Sequence, residues 1–265
     1  MSEYIEWLRP SNPLQTSDGV GAIVLDLLHE PNEEIINAWS KQFRENYCTD
    51  EAMDDARAPM GITRSDFLQQ IKFPDSSSLG AATRVADFSE ILVGDYLNYA
   101  LSYYVPRTRY DDKKNKNTSP QGVDVVGFKI QNTERISPND ELITVEVKAA
   151  FRNQNNQTLS NAIEDSKKDY FIRTPEALNA IRQRLKNRED VEGVKVVERF
   201  QNSNDRPYKL ISGAAAVHSN ATWDDSIVES AIVDHPNQNV FLMAVKGEDL
   251  LNLANNLYQK ACDNA

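Results

Sequence analysis

The chain has 265 residues, of which 40% are hydrophobic and 26% charged, and its net charge is −11. That length can bury one large core or two small ones, and the composition excludes a wholly disordered chain. The acidic balance excludes non-specific adhesion to nucleic acid, which needs Lys and Arg against phosphates. Any nucleic-acid chemistry must then use a local basic patch, a metal or a delivering partner.

A strand is predicted over GAIVLDLL (21–28), followed by a helix over 32–47. Asn32 caps that helix, and Glu33 and Glu34 sit in its first turn, where acids favour the dipole. Ile35, Ile36, Trp39 and Phe43 recur at helical spacing and should face a core. Residues 49–60 are acidic and irregular and read as a surface loop. The stretch 65–73 reads as a short helix capped by Ser65, and PDSSSLG (74–80) as an internal linker. A long helix over 81–105 carries Val85, Phe88, Ile91, Leu92, Tyr96, Leu97, Ala100 and Tyr104 as its apolar stripe. Residues 107–121 are polar and dense in cations and read as an exposed turn region. Two strands follow, over 122–131 and 141–151, joined by a connector longer than a tight hairpin turn. Helical material is predicted over 161–170 and 174–188, the latter opening with Thr174 at the cap and Pro175 at the first helical position. Strands over 208–217 and 239–247 and a closing helix over 248–262 complete a mixed α/β order.

Cys48 and Cys262 match neither a zinc spacing nor a disulfide framework and read as free thiols in a reducing cytoplasm. The N-terminal MSEYIEWLRPSNP has no basic region followed by an apolar run, and no stretch has the length needed to span a bilayer. A cytoplasmic protein without membrane contact is expected. His29, His218 and His235 lack ligand spacing. There is no Gly-rich phosphate loop or dinucleotide fingerprint, so no nucleotide cofactor is expected.

The strand ELITVEVKAAF (141–151) places Glu146 and Lys148 among apolar residues. They share one face, while Val145 and Val147 point to the other. If the two central strands are antiparallel neighbours, Asp124 in GVDVVGF converges with Glu146 and Lys148 at one end of the sheet. This is the D…E-x-K arrangement of a metal-dependent phosphodiesterase. Mg²⁺ takes hard oxygen ligands and keeps several waters, so two carboxylates suffice to hold it, with Mn²⁺ as the substitute ion. The metal polarises a phosphate and acidifies a water, and the lysine orients that water or stabilises developing charge. Glu90, on the long helix, is the first candidate for a further carboxylate and Asp95 the second. The opposing reading of Glu146 and Lys148 is a solvated cross-strand pair, which the buried flanks disfavour. Arg107, Arg109, Lys113 and Lys114 could grip DNA phosphates beside the site, or be an exposed loop charged for solubility. Arg182, Arg184, Lys186 and Arg188 invite the same two readings, and Lys167 and Lys168 could approach the site.

The helix with FSE, the strands GVDVVGF and ELITVEVKAAF, and the small-residue strand ISGAAAV before a C-terminal strand and helix resemble the PD-(D/E)xK nuclease superfamily. More narrowly, they resemble the HamA family, the nuclease subunit of the Hachiman anti-phage defence system. The D-motif is GVD where the superfamily often has PD. The resemblance implies a restriction-endonuclease-like core over 80–265, with a mixed central sheet flanked by helices, and an N-terminal α/β extension over 1–79. It implies Glu146 and Lys148 as the catalytic pair, Asp124 as a metal ligand and Glu90 as the helix carboxylate. It also implies a Mg²⁺-dependent DNase acting on double-stranded DNA under control of a HamB-like helicase partner. The rival expectation is a catalytically inactive nuclease-fold module that binds DNA ends or the helicase.

Overall fold

Seven strands pair into one sheet in the computed structural model, which describes residues 2–265. They are β1 (Leu8–Pro10), β2 (Leu14–Gln15), β3 (Gly21–Leu27), β4 (Val125–Lys129), β5 (Glu141–Ala150), β6 (Lys209–Ser219) and β7 (Val240–Gly247). The spatial order is β1-β3-β7-β6-β5-β4, with β2 paired to β3. β3, β7, β6 and β5 run parallel, while β1 and β2 pair antiparallel with β3 and β4 with β5. The sheet is therefore mixed, and residues 1–79 contribute three of its strands.

The helices are α1 (Glu33–Arg44), α2 (Asp50–Arg57), α3 (Arg64–Phe67), α4 (Ser78–Tyr99), α5 (Thr158–Lys168), α6 (Thr174–Asn187), α7 (Val191–Phe200), α8 (Ser226–Glu229) and α9 (Leu250–Asp263). Asn32 caps α1 through its side chain. Residues 50–57, expected as loop, form α2 because Thr49 caps the Ala52 N–H and Asp50 and Glu51 complement the dipole. α3 starts from a Thr63–Asp66 capping box, so its cap lies two residues before the expected one at Ser65. Ser77, inside the stretch read as a linker, caps α4.

Period-two alternation divides the strand residues between two faces. Ile143, Val145 and Val147 of β5 join Ala215, Val217, Met243 and Val245 on one face, against Trp39, Phe43, Phe88, Leu92 and Tyr258 from α1, α4 and α9. The opposite face carries two separate apolar clusters. In one, Leu159, Ala162 and Ile163 of α5 cover Ala214, Ala216 and Ala244. In the other, Leu178, Ile181, Val197 and Phe200 of α6 and α7 cover Val126, Phe128 and Leu142. Leu142 falls in the second cluster, whereas Ala214, the β6 neighbour of Glu146, falls in the first. Glu146 thus occupies the seam between them, which is how a core strand accommodates its charge.

Candidate active site

β4 and β5 pair antiparallel with Val125 facing Val145, so one further step of the register sets Asp124 opposite Glu146. Asp124 Oδ2 accepts the Val147 backbone N–H at 3.0 Å, which fixes the carboxylate beside that strand. Lys148 Nζ lies 3.6 Å from Glu146 Oε2. Glu90 comes from α4, on the other side of the sheet edge, and Arg109 connects it to the strands. Arg109 Nε donates to Glu90 Oε2 and Nη2 to Asp124 Oδ1, each at 2.7 Å, and the Val123 and Pro120 carbonyls accept its remaining donors. Tyr110 OH also donates to Glu90 Oε2 at 2.7 Å. Glu90, Asp124, Glu146 and Lys148 line one cleft of roughly 620 Å³. Asp95 is not among its lining residues: it pairs with Arg107 at 2.6 Å and accepts from Tyr4 OH at 2.6 Å.

The cation run does not form the outward stripe that its sequence suggests. Asp87, Glu90 and Asp95 are all buried on α4, and the loop beyond it supplies their counter-charges. Arg107 serves Asp95, Arg109 serves Glu90 and Asp124, and Lys113 Nζ meets Asp87 Oδ2 at 2.5 Å. Buried carboxylates require such partners, so three of the four cations turn inward. Lys114 alone of the four is exposed. Lys167 pairs with Glu164 and Asp234, and Lys168 with Asp165, near the cleft but engaged.

Three polar residues of the site escape the strand motif. Asp165 on α5 holds Lys148 Nζ at 2.7 Å. Asp169 and Arg173 bound a wide π-helical turn between α5 and α6, closed by the Thr174 N–H donating to the Asp169 carbonyl. Pro175 has no N–H to continue the regular ladder, which favours such a widened turn. Arg173 Nη1 stands 3.1 Å from Glu146 Oε1 and 3.3 Å from Asp169 Oδ1. Asp169 is fully buried and its Oδ2 has no hydrogen-bond partner. An opposite-charge pair four residues apart, Asp169 and Arg173, was the available sequence signal.

The electrostatics follow from crowding. Burial, then the Asp124 and Asp169 carboxylates, pushes the Glu146 carboxyl up to about 9. Burial pushes Glu90 up to about 8 despite Arg109, and Asp169 up to about 6 despite Glu146 and Arg173. Against desolvation, the hydrogen bond to Asp165 and the Glu146 carboxylate raise Lys148, which keeps it an ammonium. The cleft is thus rich in hard oxygen donors and short of positive charge. Among the described residues, no three His, Cys, Asp or Glu side chains are gathered as a closed ligand set. Asp124 and Glu146 instead form an open pair. Such a pair suits a hard divalent cation that retains waters.

The remaining candidates lie elsewhere. His218 is buried and bonded to Thr158 and Thr222, and His29 bonds the Glu248 carbonyl. Cys48 and Cys262 are free and buried. No helix among the described residues is long and apolar enough to cross a membrane. A sequence model of the HamA family matches residues 2–261 of the chain. No curated protein matches it.

Proposed function

The chain belongs to the HamA family, and from that premise we propose that it is a divalent-metal-dependent deoxyribonuclease of PD-(D/E)xK type. It would act as the effector of a Hachiman complex whose other subunit is a helicase. Family membership supports the anti-phage defence role. The nuclease reading rests above all on one observation, that Asp124, Glu146 and Lys148 line a single cleft with Glu90 beside them.

In this reading Asp124 and Glu146 hold the cation, for which their oxygens and charge are suited, with Mg²⁺ as the natural ion and Mn²⁺ as its substitute. When bound, the cation supplies positive charge to the scissile phosphate and acidifies a water. The chain's own residues do the rest. Asp165 aims Lys148, whose ammonium orients the attacking water or meets charge developing on phosphorus. The Val147 N–H and Arg109 hold Asp124 in place. Glu90, tied to Arg109 and Tyr110, braces the group from α4.

The net charge of −11 argues that the chain alone grips duplex DNA weakly and that the helicase supplies affinity and control. Mixing the two purified proteins tests this. A complex that survives high salt, and duplex degradation that needs both proteins and stops with EDTA, would support the reading. An Arg109 already engaged with two acids favours one alternative, an inactive nuclease-fold module. That alternative predicts the complex without any cleavage.

A further inference from the structure

The wide turn at Asp169–Arg173 sends its residues in two directions. Asp169 is wholly buried and Arg173 reaches Glu146, whereas Phe171 and Ile172 are 66% and 65% exposed and Tyr170 is exposed beside them. Tyr170 packs its ring edge-on against His235, which leaves Phe171 and Ile172 as the large apolar side chains open at the surface, and such clusters mark contact sites. Arg173 uses Nη1 for both its acidic partners, while Nε and Nη2 make no hydrogen bond among the described residues. The guanidinium lines the cleft, so the N–H groups of Nε and Nη2 remain for an acceptor arriving there. The segment from Lys148 to Arg173 carries five Lys and Arg against three Asp and Glu, in a chain of net charge −11. Lys148, Lys167, Lys168 and Arg173 pair with Glu146, Glu164, Asp165, Asp169 and Asp234, so what this corner offers a phosphate is the open side of the Arg173 guanidinium.

We propose that this turn is a strand-binding lip: Arg173 takes the phosphate entering the cleft, and Phe171, with Ile172, stacks on the unpaired base next to it. The occupant is a single-stranded or locally melted nucleic-acid strand, because a base inside an intact duplex presents no free face to an aromatic ring. Exposed aromatic rings beside cations are the general solution to binding unpaired strands. Asp169 is the positioning residue that holds Arg173 at the mouth of the cleft. The inference rests on the nuclease reading of that cleft and narrows its substrate to unpaired strand.

Binding and cleavage are separated by titrating fluorescent single-stranded and duplex oligonucleotides with the full-length protein in EDTA at low salt. Phe171→Ala and Ile172→Ala alter exposed side chains, so folding is preserved and a melting curve verifies it. Together they should weaken single-strand binding roughly tenfold or more and leave duplex binding nearly unchanged. Arg173→Gln should lower the salt slope of binding by about one in both substrates. Undetectable binding of the single strand by the wild type would overturn the proposal, as would unchanged single-strand affinity in the Phe171 and Ile172 variants. Equal losses on both substrates would overturn it too, as would a loss confined to complexes with another protein. Failure of the nuclease reading is read separately, from cleavage by Glu146→Gln that matches wild type in Mg²⁺.

Discussion

Glu90 and Asp124 reach the sheet edge from opposite sides and share one guanidinium, that of Arg109, at 2.7 Å each. One cation thus serves two carboxylates, both supplied by elements that must meet for the cleft to exist. Arg109→Gln leaves two acids facing each other in a largely buried place. It should cost about 3–5 kcal/mol of stability in urea unfolding. Adding Glu90→Gln to that variant should recover part of the loss, since the double change removes one of the stranded charges. Strict additivity of the two single changes would contradict the shared-cation account.

The pH dependence of stability has a definite sign. Burial and the neighbouring Asp124 and Asp169 carboxylates raise Glu146 to about 9 in the folded chain. A raised carboxyl contributes stability that is fully present below its unfolded value. That stability drains as pH climbs toward the folded value. The metal-free protein should therefore lose thermal stability steadily from about pH 5 to pH 9. Glu146→Gln should flatten this trend. A wild-type melting temperature that rises over the same range would contradict it.

Asp165 should matter to the reaction through Lys148 alone. Asp165→Asn keeps the shape but loosens the 2.7 Å contact that aims the ammonium. The expected result is a fall of roughly 10–100-fold in cleavage rate, by analogy with partners that orient catalytic ligands. KM should be little changed and the rate should shift its pH profile, since Lys148 loses the contact that raises it. A purely structural role would lower stability and leave the profile in place.

Gly213 of β6 faces Val145 of β5, one register step from Glu146. A Cβ there would fall 2.6 Å from Val145 Cγ2 and 3.0 Å from the Thr144 carbonyl oxygen. Gly213→Ala should overpack the β5–β6 contact at Val145 and cost about 1–3 kcal/mol. For a chain of this size that is a drop of several degrees in melting temperature.

Strands β3 to β7 were legible because their apolar runs are bounded by turn residues, whereas β1 and β2, three and two residues long, carry no such run and were missed. The pairing of Asp124 with Glu146 followed once an antiparallel neighbour was assumed, and the register bears that assumption out. What the sequence hid were features decided by tertiary partners. The acidic stretch 49–60 looked like loop because its charge outweighed its capping pattern, yet Thr49 and the Asp54 contacts to Arg57 and Arg64 make it helical. α7 carried no strong start signal beyond Asp190, which caps the Gly193 N–H. Arg107, Arg109 and Lys113 read as a surface run because the three buried acids of α4 that claim them lie 12 to 26 residues away in sequence. Asp169 and Arg173 were hidden for a related reason: a widened turn, not a regular helix, aims both at Glu146.

On the proposed reading, Asp124, Glu146 and Lys148 form one phosphodiester-cleaving centre. The most direct measurement is single-turnover cleavage of plasmid and of single-stranded DNA in Mg²⁺, with the proposed helicase partner present. Wild type would be compared with Glu146→Gln, Asp124→Asn and Lys148→Ala variants of verified fold. The account predicts metal-dependent cleavage by wild type and a loss of at least about a hundredfold in each variant, on the scale of a lost transition-state contact. Variants that cleave as fast as wild type, or a wild type that cleaves nothing in any of these conditions, would contradict it.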